Sequence, residues 1–173
     1  MIVFVAFLRG INVGGNKTIS MKELAALFEQ VGFENIKTIL NSGNVVFEFK
    51  ESSEAVLVKK IEKAIEDKYG FEVTVQIRIL DDIKKMIEMN PFKDFKPDKD
   101  THWYVTFLND FKGKLPSATS DAYKLLGIEN DALFCILDRT KGQSTDLMAF
   151  LDKTFGKKVT TRNWNTLVKI TKS

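Results

Sequence analysis

Ile2-Val3-Phe4-Val5-Ala6-Phe7-Leu8 contains no polar side chain, and the run stops at Arg9. It is too short to span a bilayer and lacks the basic flank of a signal peptide. A strand this apolar on both faces belongs in the interior of a sheet. Val3, Val5 and Phe7 fall on one face, and Ile2, Phe4, Ala6 and Leu8 on the other, so both faces need cover. This requirement constrains the fold more than any other feature of the chain.

The next seventy residues complete a recognisable order. After the glycine- and asparagine-rich stretch Gly10-Ile11-Asn12-Val13-Gly14-Gly15-Asn16-Lys17, Ser20 and Glu23 stand at capping-box spacing. Met21, Leu24, Leu27, Phe28 and Val31 then recur at helical spacing up to Gly32. Residues 36–40 and 45–49 form the two arms of a hairpin around Asn41-Ser42-Gly43-Asn44. Val58, Ile61, Ile65 and Tyr69 mark a second helix over residues 53–69 that Gly70 closes. In residues 74–80, Val75, Ile77 and Ile79 alternate with Thr74, Gln76 and Arg78, as in a half-exposed edge strand. The order β-α-β-β-α-β over residues 1–80 is the ferredoxin-like split unit. Right-handed crossovers put its first and third strands in the centre.

Residues 81–173 read as a second α/β part of an α+β protein, and a degenerate duplication is one explanation. The pattern predicts a helix capped by Asp81 and ended at Asn90-Pro91, then a strand over 103–108 and a helix over 120–126 stopped by Gly127. A strand over 132–137 and a helix from Ser144 to Gly156 come next, and Thr161 is the expected cap of a last helix bearing Trp164, Leu167 and Val168. No linker rich in Pro, Gly or Ser separates the halves, and the expectation is one compact body in which the second half covers the open face of the first strand.

Charge excludes little. The net charge is +3, and residues 1–80 balance ten basic against ten acidic side chains. From Lys153 onward the chain has six basic residues and no acid, a tail that suits an anion, although a solvated helix face is the simpler explanation. Cys135, the sole cysteine, lies in an apolar run and allows no intrachain disulfide. A reducing, cytoplasmic setting fits.

In the split unit the first two strands run parallel, so the loop leaving the first and the hairpin leaving the second meet at one end of the sheet. Arg9, Asn12, Gly14 and Gly15 would then face Asn41, Ser42 and Asn44. Glycines permit close backbone approach, asparagine amides donate, and the first helix offers its N-terminus. The combination suits a phosphate or carboxylate. Arg162 and Asn163 would join if the last helix packed across that edge. The same residues also suit ordinary tight turns. The pattern is neither a P-loop nor a dinucleotide fingerprint.

Catalytic constellations are poor. His102 is the only histidine, which excludes a multi-histidine metal site, and beside Trp103 on a strand it reads as a packing residue. Cys135 has no basic neighbours to activate it, and Asp81-Asp82 suit a helix start. No metal or cofactor is expected. An RNA-recognition module shares the element order, but Asn44 and Val46 stand where its stacking aromatics belong.

The chain resembles a family of bacterial proteins classed as a domain of unknown function. The markers are Arg9-Gly10-Ile11-Asn12-Val13-Gly14-Gly15, Asn41-Ser42-Gly43-Asn44, Asn90-Pro91-Phe92 and Thr161-Arg162-Asn163-Trp164-Asn165-Thr166. The resemblance implies an α+β fold of two related subdomains and brings no catalytic residue or cofactor with it. Where the family often has Ser-Lys-Leu, this chain has Ser144-Thr145-Asp146-Leu147, so a contact resting on that lysine would be lacking. Three functions are open as expectations: a cytoplasmic binding protein or enzyme with a small anionic ligand at this loop edge, a non-catalytic module that docks a protein partner, and a weak nucleic-acid binder acting through the basic tail. No membrane partner is expected.

Overall fold

The computed structural model describes residues 1–50 and 52–173. The elements run β1 (Ile2–Arg9), α1 (Met21–Gln30), β2 (Glu34–Ile39), β3 (Asn44–Phe49), α2 (Glu54–Tyr69), β4 (Thr74–Ile79) and α3 (Leu80–Met89). Then come β5 (Thr101–Phe107), β6 (Tyr123–Glu129), β7 (Ala132–Asp138), α4 (Ser144–Phe155), β8 (Thr160–Asn163) and α5 (Trp164–Thr171). The fold is α+β. Two compact units divide the chain: Met1–Lys85 with Lys169–Ser173, and Met86–Val168. The boundary falls inside α3, a few residues beyond residue 80.

The first unit holds the antiparallel sheet β2-β3-β1-β4, with β1 and β3 central as the crossover rule requires. Phe4, Ala6 and Leu8 of β1 pack with Val45 and Phe47 of β3 and Val75 and Ile77 of β4 against one face of α1 (Leu24, Leu27, Phe28) and of α2 (Leu57, Ile61, Ile65). Phe47 centres the cluster, with the Phe33 ring 4.4 Å and the Phe28 ring 5.4 Å away. Each fully buried side chain of this kind contributes about 1.5–3 kcal/mol. Val5 and Phe7, on the opposite face of β1, are also fully buried. Gln76 of β4 is buried as well, so the edge strand is less exposed than its alternating pattern predicts.

The second unit repeats the strand order as β6-β7-β5-β8. The correspondence extends to register. Val5 lies between Val46 and Arg78, and Val105 between Phe134 and Arg162. The Leu8 amide donates to the Gly43 carbonyl at 2.8 Å, as that of Leu108 does to Asp131 at 2.7 Å. One helix has no counterpart: between β5 and β6 the chain takes an irregular path, along which the Phe111 ring packs 4.9 Å from that of Phe155 in α4. On one sheet face Leu133, Cys135 and Leu137 meet Leu147 and Leu151 of α4. On the other, Phe92 stacks on Trp103 at 4.9 Å with the Trp164 ring 5.1 Å away.

Three local expectations are corrected. Residues 120–126 are not helical, because most of them enter β6. Gly127 sits where β6 bulges against β7, and Asn130 and Asp131, both at positive φ, make the two-residue turn that joins the strands. Ser120 Oγ accepts from the Ala122 amide in a local turn and caps no helix. Thr161 is not the cap of α5, since β8 continues through Asn163 beside Tyr104. Asn163 Oδ1 takes that role by accepting from the Asn165 amide at 2.9 Å. Asp81 lies in the first turn of α3 and does not cap it, because the helix starts at Leu80 directly from β4.

Candidate functional site

The loop leaving β1 is a miniature hairpin. Val13 and Asn16 form a bridge across Gly14 and Gly15, whose φ angles of 64° and 76° are those a two-residue primed turn demands. The Asn12 amide donates to the Lys17 carbonyl at 3.2 Å. The Asn12 side chain then joins this loop to its surroundings. Its Nδ2 donates to the Ile19 carbonyl and to the Asn41 carbonyl, each at 2.9 Å, and its Oδ1 accepts from the Ile19 amide at 2.9 Å. The loop after β1 and the hairpin after β2 are therefore held together at one end of the sheet.

The remaining hairpin residues take structural positions. Asn44 is fully buried and donates through Nδ2 to the Ile39 carbonyl at 2.8 Å and to Ser42 Oγ at 3.0 Å. Asn41 and Ser42 are exposed. The Asn12 and Asn44 amides thus engage the protein's own oxygens, and these two residues shape the edge. Arg9 is half-buried at the end of β1, paired in register with Thr74. Lys17 adds a second cation, anchored by a 2.7 Å donation to the Glu72 carbonyl and lying 5.8 Å over the Phe71 ring.

Electrostatics at the head of α1 are partly settled internally. Ser20 Oγ accepts from the Glu23 amide, while the Glu23 carboxylate accepts from Ser20 Oγ at 2.7 Å and from its amide at 3.2 Å. These hydrogen bonds hold the Glu23 carboxyl below its ordinary range, the Ser20 hydroxyl contributing most. A carboxylate of the chain therefore already occupies the head of the helix. Lys17 is a cation of the loop, and Arg9 is the last residue of the strand that leads into it.

Arg162 and Asn163 belong to the second unit. Arg162 is buried on β8, with Nη1 donating to Thr160 Oγ1 and to the Thr161 carbonyl, both at 3.0 Å. Burial pulls its pKa down to about 10, so it remains cationic at neutral pH. Arg78 repeats the arrangement in the first unit, donating to Gln76 Oε1 at 3.2 Å and the Ile77 carbonyl at 2.7 Å. The sequence signals this correspondence only through register, which alternation alone does not reveal.

Groups with catalytic potential are placed quietly. His102 Nδ1 lies 3.3 Å from Tyr104 Oη. Burial pushes the Cys135 thiol up to about 12, well above what a nucleophile requires. Among the described residues, no three of His, Cys, Asp or Glu gather as metal ligands would, and no helix is long and apolar enough to cross a membrane.

A two-unit α+β protein with a clipped loop edge is the class that these features define. The chain belongs to the DUF1697 family, described as proteins of unknown function, whose pattern matches residues 1–127. That span covers the whole β-α-β-β-α-β unit and reaches into β6. Among solved structures, the chain is similar to that of the conserved bacterial protein SP0830 from Streptococcus pneumoniae. The match has a TM-score of 0.73 at 24% identity and covers 99% of this chain and 97% of that one; at this identity it shows the fold alone. No curated protein matches.

Proposed function

We propose that the protein binds a small anionic ligand, a phosphate or a carboxylate, at the edge where the β1–α1 loop meets the β2–β3 hairpin, and that it works in the cytoplasm. The observation that carries this is the Asn12 clip to Asn41, which makes two loops one surface. Arg9 stands at its root and Lys17 within it. Charge pairing falls to Arg9, with Lys17 beside it. Asn41, Ser42 and the exposed Gly14-Gly15 tip supply polar contacts, while Asn12 and Asn44 hold the shape. A preformed edge of this kind orders few groups on binding, and such ordering is the usual cost of small-ligand recognition.

The test is a thermal-shift screen of the protein and its Arg9→Ala variant against inorganic phosphate, sugar phosphates, nucleotides, carboxylates and short oligonucleotides. A ligand at a hundredfold excess over its Kd adds about 2.7 kcal/mol of stability. Stabilisation of the wild type by an anion, lost in Arg9→Ala, is the expected result. A panel in which nothing shifts the wild type would sink the proposal. A steeply salt-dependent response to oligonucleotides alone, retained in Arg9→Ala, would direct attention to the basic tail instead.

A further inference from the structure

Six large apolar side chains are exposed among the described residues, and two of them flank the clip. Val13, next to Asn12, is 70% exposed, and Leu40, next to Asn41, is 46% exposed. Because the Asn12 Nδ2 to Asn41 carbonyl bond is 2.9 Å long, the two are brought to the same edge by the same contact. The other four are dispersed over the N-terminus (Met1), α2 (Val56), α3 (Met89) and the β5–β6 loop (Leu115). Leu40 is placed at a cost. Its φ is 59°, a left-handed conformation that suits glycine or asparagine and that a bulky side chain rarely adopts.

We infer that the ligand of this edge is an amphiphilic anion: a carboxylate or phosphate monoester with a short apolar substituent that lies across Val13 and Leu40. The inference rests on the anion reading above and specifies its chemistry. Arg9 and Lys17 complement the charged end, and the exposed pair complements the hydrocarbon. Two side chains cover only a few methylenes, so a short alkyl or aryl group fits them better than a long lipid chain.

The experiment is a calorimetric titration with straight-chain carboxylates and alkyl phosphates of increasing length, kept below micelle formation. The proteins are wild type and the double variant Val13→Ser, Leu40→Asn. Asparagine tolerates positive φ, so the variant should retain the hairpin; circular dichroism and the melting point check this. In the wild type, each added methylene should tighten binding about fourfold until the pair is covered. In the double variant the series should be flat, with the shortest anions bound as before. Binding of short anions without any chain-length dependence in the wild type would overturn the inference and leave the anion site standing. Chain-length dependence that survives in the double variant would also overturn it, by placing the apolar contact elsewhere. Failure of every anion, short or long, would remove the site reading and the inference together. A wild-type dimer that the double variant abolishes would show that a second copy of the chain covers the pair, and would likewise overturn it.

Discussion

Asn12 donates its side-chain amide to the carbonyl of Asn41 at 2.9 Å, across a separation of 29 residues. The same amide group donates to the Ile19 carbonyl, and its oxygen accepts from the Ile19 amide. All three bonds go to backbone groups that no regular ladder serves. A single side chain thus does for two loops what a strand pair does for two strands.

Replacing Asn12 should therefore cost more than an exposed loop substitution. Asn12→Ala leaves the Ile19 amide and two carbonyls without their partner, at about 1–3 kcal/mol, and adds left-handed strain of about 1–2 kcal/mol at a φ of 56°. Asn12→Asp keeps the acceptor for Ile19 but loses both donations and places a carboxylate against two carbonyls, so it should destabilise comparably. Urea denaturation measures the loss, and amide exchange at Ile19 locates it. A midpoint unchanged in both variants would mean that the clip holds nothing.

Glycines in these loops should separate into two classes. A Cβ on Gly43 would stand 2.8 Å from Ile11 Cδ1 and 2.9 Å from Leu8 Cβ, with φ at 77°. Gly43→Ala thus combines left-handed strain of about 1–2 kcal/mol with overpacking of about 1–3 kcal/mol. At Gly14, with φ at 64°, nothing lies within 4 Å, so Gly14→Ala carries the strain term alone. The expected order of melting points is wild type, then Gly14→Ala, then Gly43→Ala. Equal losses in the two variants would contradict the close approach of Ile11.

The first unit is readable from sequence because its signals are local and redundant. The apolar run of β1, the Ser20–Glu23 box and the positions of Gly32 and Gly70 each point to the same elements. The convergence of the two loops is legible too, since parallel β1 and β2 must end together. The second unit is harder to read. β6 resembles a helix because Ala122, Leu125 and Leu126 show helical spacing in a short segment, and its turn, Asn130-Asp131, carries no glycine. The individual roles at the edge depend on hydrogen-bond partners, which composition does not encode. Asn12 and Asn44 have the side chain of a ligand donor, but their donors are occupied by protein oxygens. The exposure of Leu40 is likewise set by tertiary position.

Cys135 should behave as a buried hydrophobe. It is fully buried in the centre of β7 with its thiol pushed up to about 12, so the thiolate fraction near neutral pH is negligible. Ellman's reagent should leave the folded protein unlabelled and modify a single thiol on addition of denaturant. Fast labelling under native conditions would show that β7 opens locally.

Acid should weaken the protein through surface carboxylates held by hydrogen bonds. Glu23 is lowered from 4.5 chiefly by the Ser20 hydroxyl, Asp98 from 3.8 by the Thr101 side chain and Asp138 from 3.8 by the Thr140 side chain. A depressed folded pKa means that the unfolded chain binds more protons in the interval between the two values, so stability rises with pH across that interval. The contribution of Glu23 is complete only well above its ordinary value of 4.5 and is lost as pH falls through its folded value. Glu23→Gln keeps a capping box that glutamine can complete but removes the titration. Its urea midpoint should therefore fall less steeply than the wild type's between about pH 6 and about pH 3, and the two proteins should converge at the acid end. Parallel profiles across that range would show that the carboxylate of Glu23 is held no better in the folded chain than in the unfolded one.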